Sequence, residues 1–304
     1  MEYKRLPRKT ARAIPLVIGA SLFVALMGAV VKFLSHQITT ESLLFWRNTV
    51  SLIILYPFIL RGAKGVRVAE SLKTKEWKLQ LVRGIASYFA VYFFFFSLKY
   101  LDLTDSVLLF NTIPIFIPIV ALLWKRILIV HRLWWGIGTA FLGIIFVLNP
   151  TPSLFQPASL IALASGISGA ISLVSLRLAH SSEPIERSMF YVFGIGAVIA
   201  AIWTFFTFEK SWEHLNMDII ALLVLMGFLS FCYQSCMSWA AHYAPFRLVS
   251  TFLYCGVIFS IILDTMIWKT PIEMSTMIGF ALIVIGAVLK LLLYPEDDYK
   301  IKGR

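Results

Sequence analysis

The chain has 304 residues, of which 59% are hydrophobic and 14% charged, and its mean hydropathy is +0.83. A water-soluble domain could not bury that much apolar surface, so the composition excludes one and indicates a membrane protein. The net charge of +11 does not call for a nucleic-acid partner, because the basic residues fall in short connections between apolar runs, as membrane topology places them.

Residues 1–12 are polar and basic, and an apolar run over 13–34 follows. That run is long and has no small-residue cleavage site, so it reads as a retained first span and not as a signal peptide. Further spans are predicted over 42–60, 79–98, 104–124, 133–148, 158–176, 188–208, 219–240, 247–268 and 275–293, an all-α polytopic membrane protein with ten transmembrane helices. With the N-terminus in the cytoplasm, Arg61, Lys64, Arg67, Lys73, Lys75, Lys78, Lys125, Arg126 and Arg132 all lie inside, while the outer connections hold little beyond Lys99, Lys210 and Lys269. This asymmetry predicts both termini on the cytoplasmic side of the inner (plasma) membrane.

The fourth span, TDSVLLFNTIPIFIPIVALLW, carries no charge after Asp105 but holds Asn111, Pro114 and Pro118. Proline removes a backbone donor and bends a helix, and in lipid the freed groups need partners within the protein. A bent helix inside a bundle, with Asn111 facing inward, is therefore expected. The pattern returns about 142 residues later, with Phe252 matching Phe110, Tyr254 matching Thr112 and Gly256 matching Pro114. Glu41 and Phe45 likewise match Glu186 and Phe190, and Gly136 and Gly143 of span five match Gly279 and Gly286 of span ten. Glycines seven apart share a helix face and permit close approach. Five spans per copy is odd, so the second copy enters the membrane from the other side. One membrane domain over 1–304, built of two inverted five-helix repeats at 13–149 and 157–293, is the predicted organisation.

Ten spans in two repeats, the span-two arginine in LLFWRN, the LVRG that enters span three and the paired glycine helices together resemble the drug/metabolite transporter superfamily and its EamA-type carriers. The resemblance covers nearly the whole chain. It implies a central cavity lined by spans one, three, four, six, eight and nine. Members of the family often carry Glu just after spans four and nine; here Lys125 and Lys269 stand at or beside those places. LLFWRN, LVRG and the arrangement around span four also resemble the S-adenosylmethionine carriers of intracellular bacteria.

Arg47 lies about one and a half turns into span two, roughly 7–8 Å deep, where a charge normally faces the bundle interior with a partner. It either binds an anionic group of a substrate or gate, or is tied to Asp102, Asp105 or Glu41 at the outer rim; the tie is preferred. Asp105 and Asp264, near the outer ends of spans four and nine, either take up a proton and couple transport to a gradient or form a gate or ion-pair network with Lys32, Arg47 and Lys99; the network is preferred, since no carboxylate falls at the middle of a span. Asn111, whose amide both donates and accepts, is the midplane candidate for substrate, set against an ordinary interhelical hydrogen bond. Gln234 and its neighbour Tyr233 are similar in kind. Tyr88 and Tyr92, four apart, form a stacking wall or ordinary packing, and Tyr254 is expected to face the same cavity. Ser165, Ser168, Ser172 and Ser175 with Gly169 read as a packing face.

Cys232, Cys236 and Cys255 lie within apolar runs with no His, Asp or Glu beside them, so neither a disulfide framework nor a metal site is expected. No phosphate-binding loop, nucleophile elbow or zinc motif occurs, and His131, His180 and His242 are scattered. The expectations are no catalytic residues, no cofactor, and a monomer or weak homodimer. The predicted function is a secondary carrier for a small organic metabolite, with S-adenosylmethionine or a similar nucleoside-like zwitterion as the substrate and an amino-acid or drug exporter as the alternative. A membrane-embedded enzyme and an assembly subunit are the competing classes.

Overall fold

The computed structural model of the chain describes residues 8–62, 68–125, 133–147, 157–179, 184–206, 216–244, 249, 252–270 and 273–293. The two termini and several basic connections used to predict orientation lie outside these residues. The described part is all-helical: α1 Arg8–Leu34, α2 Thr40–Gly62, the short α3 Val68–Ser71, α4 Trp77–Ser97, α5 Leu103–Phe110, α6 Ile113–Lys125, α7 Leu133–Val147, α8 Pro157–Ala179, α9 Ile185–Phe206, α10 Met217–Tyr243, α11 Cys255–Leu263 with a π-helical turn over Asp264–Trp268, and α12 Met274–Leu293. Each predicted span has a helical counterpart. Seven segments among the described residues are long and apolar enough to cross a bilayer, whereas Cys255–Trp268 and Met274–Gly286 are shorter apolar stretches.

Span four is two helices. Pro114 has no N–H to give the Phe110 carbonyl, and α5 ends there; Asn111 and Thr112 form a turn before α6 begins. The Leu109 carbonyl accepts instead from the Thr112 hydroxyl at 2.6 Å. The second half breaks at the same place, with Leu253 and Tyr254 in a turn before α11. There the Ser21 hydroxyl of α1 reaches the Phe252 and Leu253 carbonyls at 3.3 and 3.4 Å. In the second half the carbonyls at the break thus find a partner on another helix, as a lipid environment demands.

The largest helix contacts pair α7 with α12, α4 with α8, α1 with α10 and α2 with α9, while α5 packs on α11. Glycines set the closest approaches. A Cβ on Gly143 would lie 2.7 Å from the Gly279 carbonyl oxygen, and one on Gly286 would lie 2.6 Å from that of Gly136. On α8, a Cβ at Gly166 would fall 2.1 Å from the Thr112 hydroxyl, and one at Gly169 would fall 2.6 Å from Ile113. The small face of α8 therefore seats the break in span four. Its serines serve mostly as packing: Ser165 and Ser175 donate to carbonyls of their own helix, while Ser172 reaches the Arg83 carbonyl at 3.3 Å.

Candidate functional site: a central cavity between two buried arginines

A cavity of about 40 Å³ lies between α2, α4, the α5–α6 break, α8 and α10. Its polar lining is Arg47, Arg83, Ser87, Ser172, Tyr233 and Gln234; Phe110 and Ile113 flank it from either side of the break. Such a volume holds about three waters. The lining differs from the one expected. Spans three, four, six and eight contribute, but span two takes a place through Arg47, and spans one and nine supply no lining residue among the described residues.

Arg47 is 2% exposed. Its Nη1 donates to the Asn48 side-chain oxygen at 2.9 Å, the guanidinium carbon lies 5.8 Å from the centre of the Phe193 ring, and Nε has no partner. The expected tie to Asp102, Asp105 or Glu41 is not made. Asn48 is itself held by the Leu44 carbonyl at 2.8 Å, and Glu41 accepts from the Tyr92 hydroxyl at 3.2 Å.

Arg83, in the LVRG that enters span three and not among the expected site residues, is 1% exposed. It donates to the Ser188 hydroxyl, which in turn donates to Gln80 at 3.1 Å, and its Nη2 is unpartnered. Neither arginine has a carboxylate within ion-pair distance among the described residues. The signal that could have found Arg83 was the one applied to Arg47: a charge six residues inside an apolar helix.

The other candidates divide. Gln234 and Tyr233 line the cavity with the arginines. Asn111 is buried at the end of α5 with both amide atoms unpartnered, close against Gly256, and is not part of the lining. Tyr254 is buried with a free hydroxyl, again away from the lining. Tyr88 and Tyr92 stack at 6.1 Å between ring centres, in a ladder that continues to Phe96.

At one end of the bundle Lys32 closes a polar cluster. Its Nζ lies 3.0 Å from Asp102, 3.3 Å from Asp264 and 4.7 Å from the centre of the Trp268 ring. Asp264 also accepts from the Thr104 backbone N–H and hydroxyl. Asp105 accepts from Thr276 at 3.1 Å, which links α5 to α12. Arg47 and Lys99, expected in this network, stand outside it: Arg47 is buried beside Asn48, and Lys99 lies over the Tyr100 ring. No group of three or more metal-binding side chains occurs among the described residues.

Comparison with known proteins agrees with this architecture. The EamA-like transporter family matches twice, over residues 11–149 and 156–292. The pseudopaline exporter of Pseudomonas aeruginosa (strain UCBPP-PA14) is 21% identical over 90% of this chain and 93% of its own length. The S-adenosylmethionine uptake transporter of Rickettsia felis is 25% identical over 87% of this chain and 86% of its own. The riboflavin transporter of Vibrio cholerae is 24% identical over 55% of this chain and 56% of its own. A solved crystal structure 15% identical in sequence superposes with a TM-score of 0.64, covering 93% of this chain and 97% of that one, a likeness of fold. The chain is a multi-pass membrane protein and belongs to the EamA-like transporter family.

Proposed function

We propose that the protein is a secondary carrier that moves a small organic metabolite across the inner membrane by alternating access. In this reading two inverted five-helix repeats, 13–149 and 157–293, make ten spans that rock about the central cavity, with both termini in the cytoplasm. The helix pairing supports it. With the spans numbered one to ten, the pairs include 1·8, 3·6, 2·7, 4·9 and 5·10, and 2·8 with 3·7, each set carried onto itself by exchange of the two repeats.

The observation that carries the substrate reading is Arg47, a buried cation on the cavity wall with only neutral partners. A substrate carboxylate would answer it through paired N–H donors. S-adenosylmethionine or a similar nucleoside-like zwitterion meets that need with one carboxylate, and the Rickettsia relative carries that name. Export of an amino-acid-like or drug-like compound is the second reading. The Pseudomonas relative, which is named an exporter, supports it.

Reconstitution in liposomes with a panel of labelled metabolites, with and without unlabelled compound inside, tests the carrier. Faster exchange of at least one compound than in protein-free liposomes is expected; equal rates across the panel would remove the reading.

A further inference from the structure

Two full charges enter the bundle, and among the described residues no carboxylate lies within ion-pair distance of either. Arg47 and Arg83 are each buried, and each is pinned through one nitrogen by a neutral side chain, Asn48 for one and Ser188 for the other. Each keeps an unpartnered nitrogen, and both line the same cavity. A buried, uncompensated guanidinium is costly, and structures keep one where a charge partner arrives from elsewhere.

The arginines also approach from different levels. Helix α9 measures the offset, because Ser188 touches Arg83 while Phe193 lies beneath Arg47. Five residues of helix separate these contacts, about 7.5 Å along the axis. Helix α2 runs antiparallel to α9: Gly196 meets Asn48 near the start of α2, and Ile185 clusters with Ile59 near its end. The two guanidinium contacts are therefore offset along α9 and not level with one another, which suits two anionic groups more than one shared between them. The rest of the polar wall is Ser87, Ser172, Tyr233 and Gln234, neutral groups that can meet an amine or a hydroxyl but cannot balance a cation.

We propose that this cavity takes a metabolite with two acidic groups, one bound by Arg47 and the other by Arg83, separated by a short chain. The proposal rests on the carrier reading and names the substrate class of the same cavity. It makes Arg83 a binding residue, and it sets doubly acidic compounds against the single-carboxylate substrate, S-adenosylmethionine, of the reading above.

The test uses full-length protein in proteoliposomes and labelled compounds sorted by charge: glutarate and glutamate with two carboxylates, citrate with three, butyrate and alanine with one, S-adenosylmethionine with one carboxylate and two cationic centres, and uridine with none. The expected result is uptake confined to glutarate, glutamate or citrate. Arg47→Gln and Arg83→Gln should each slow it at least tenfold, and Arg83→Lys should keep part of the rate. Saturable uptake of S-adenosylmethionine, alanine, butyrate or uridine in preference to the multiply acidic compounds would overturn the proposal while leaving the carrier reading intact. Uptake of none of the panel by monodisperse protein would overturn both. Selectivity of the unaltered protein decides the matter even where an arginine variant does not fold.

Discussion

The carboxylate of Asp264 caps the helix that starts beside Thr104. One oxygen takes the Thr104 backbone N–H at 2.6 Å and its hydroxyl at 2.7 Å, while the other faces Lys32 at 3.3 Å. A negative group at a helix N-terminus answers both the free N–H donors and the helix dipole. Here the capping group comes from the end of α11, so a single side chain joins both repeats and α1 at one end of the bundle.

Asp264→Ala should therefore cost about 2–3 kcal/mol, since it leaves buried donors unmet. Asp102→Ala should cost at most about 1 kcal/mol, because that side chain of the Lys32 pair is 48% exposed. Thermal melts of the two variants in the same detergent check the order; equal losses would show that the cap adds nothing to the ion pair.

Asn111 offers a contrast between stability and activity. Both its amide atoms are buried without partners, and an unmet polar group in an apolar setting is unfavourable. Asn111→Leu should leave the melting temperature unchanged or raise it, by up to about 2 kcal/mol of stability, and should reduce transport several-fold. A clear drop in melting temperature would instead mark Asn111 as a structural hydrogen-bonding residue.

Tyr88 and Tyr92 stack on one another but differ at their hydroxyls. That of Tyr92 is held by Glu41 and that of Tyr88 is free. Tyr92→Phe should lose about 0.5–1.5 kcal/mol and Tyr88→Phe nothing. If Tyr88 reaches substrate once the cavity opens, Tyr88→Phe raises KM at constant stability, a shift read from saturation curves.

Among the glycines, Gly166→Ala should destabilise strongly, by about 1–3 kcal/mol or more from overpacking, because its Cβ would fall on Thr112. Gly138→Ala has open space around it and should be neutral or slightly stabilising, since Ala is the better helix former by about 1 kcal/mol. Yield and monodispersity on size exclusion, followed by melting, distinguish them.

Much of the architecture was legible in the residues because its causes are local. Pro114 marks where span four departs from a straight helix, although the expected bend is a full break, and the echo at Gly256 marks the repeat in which the second break lies. The seven-residue glycine spacing announces the α7–α12 contact, and Lys32 and Asp264, each near a span end, were readable as ion-pair residues. The cavity was less legible. Asn111 and Tyr254 have the right chemistry, but which way a residue faces at a break depends on the neighbour that packs there, and Gly256 and Gly166 decide that from other helices. Arg47 was assigned a carboxylate because a buried charge ordinarily has one. Its actual neighbours, Asn48 and Phe193, include one from the other half of the chain. Arg83 was masked by the lysines just before it, Lys73, Lys75 and Lys78, which made it look like the tail of a basic connection.

The glycine seam between α7 and α12 has a further consequence. Gly143 meets Gly279 and Gly136 meets Gly286, so each helix offers its partner the same two notches, much as identical subunits do across a dimer axis. A bulky residue at any one notch would prise apart a zip that its counterpart still holds, tilting the pair and not merely widening it. Damage should thus be greater for a change at one notch than half of that for changes at both, a form of non-additivity that belongs to self-matching surfaces.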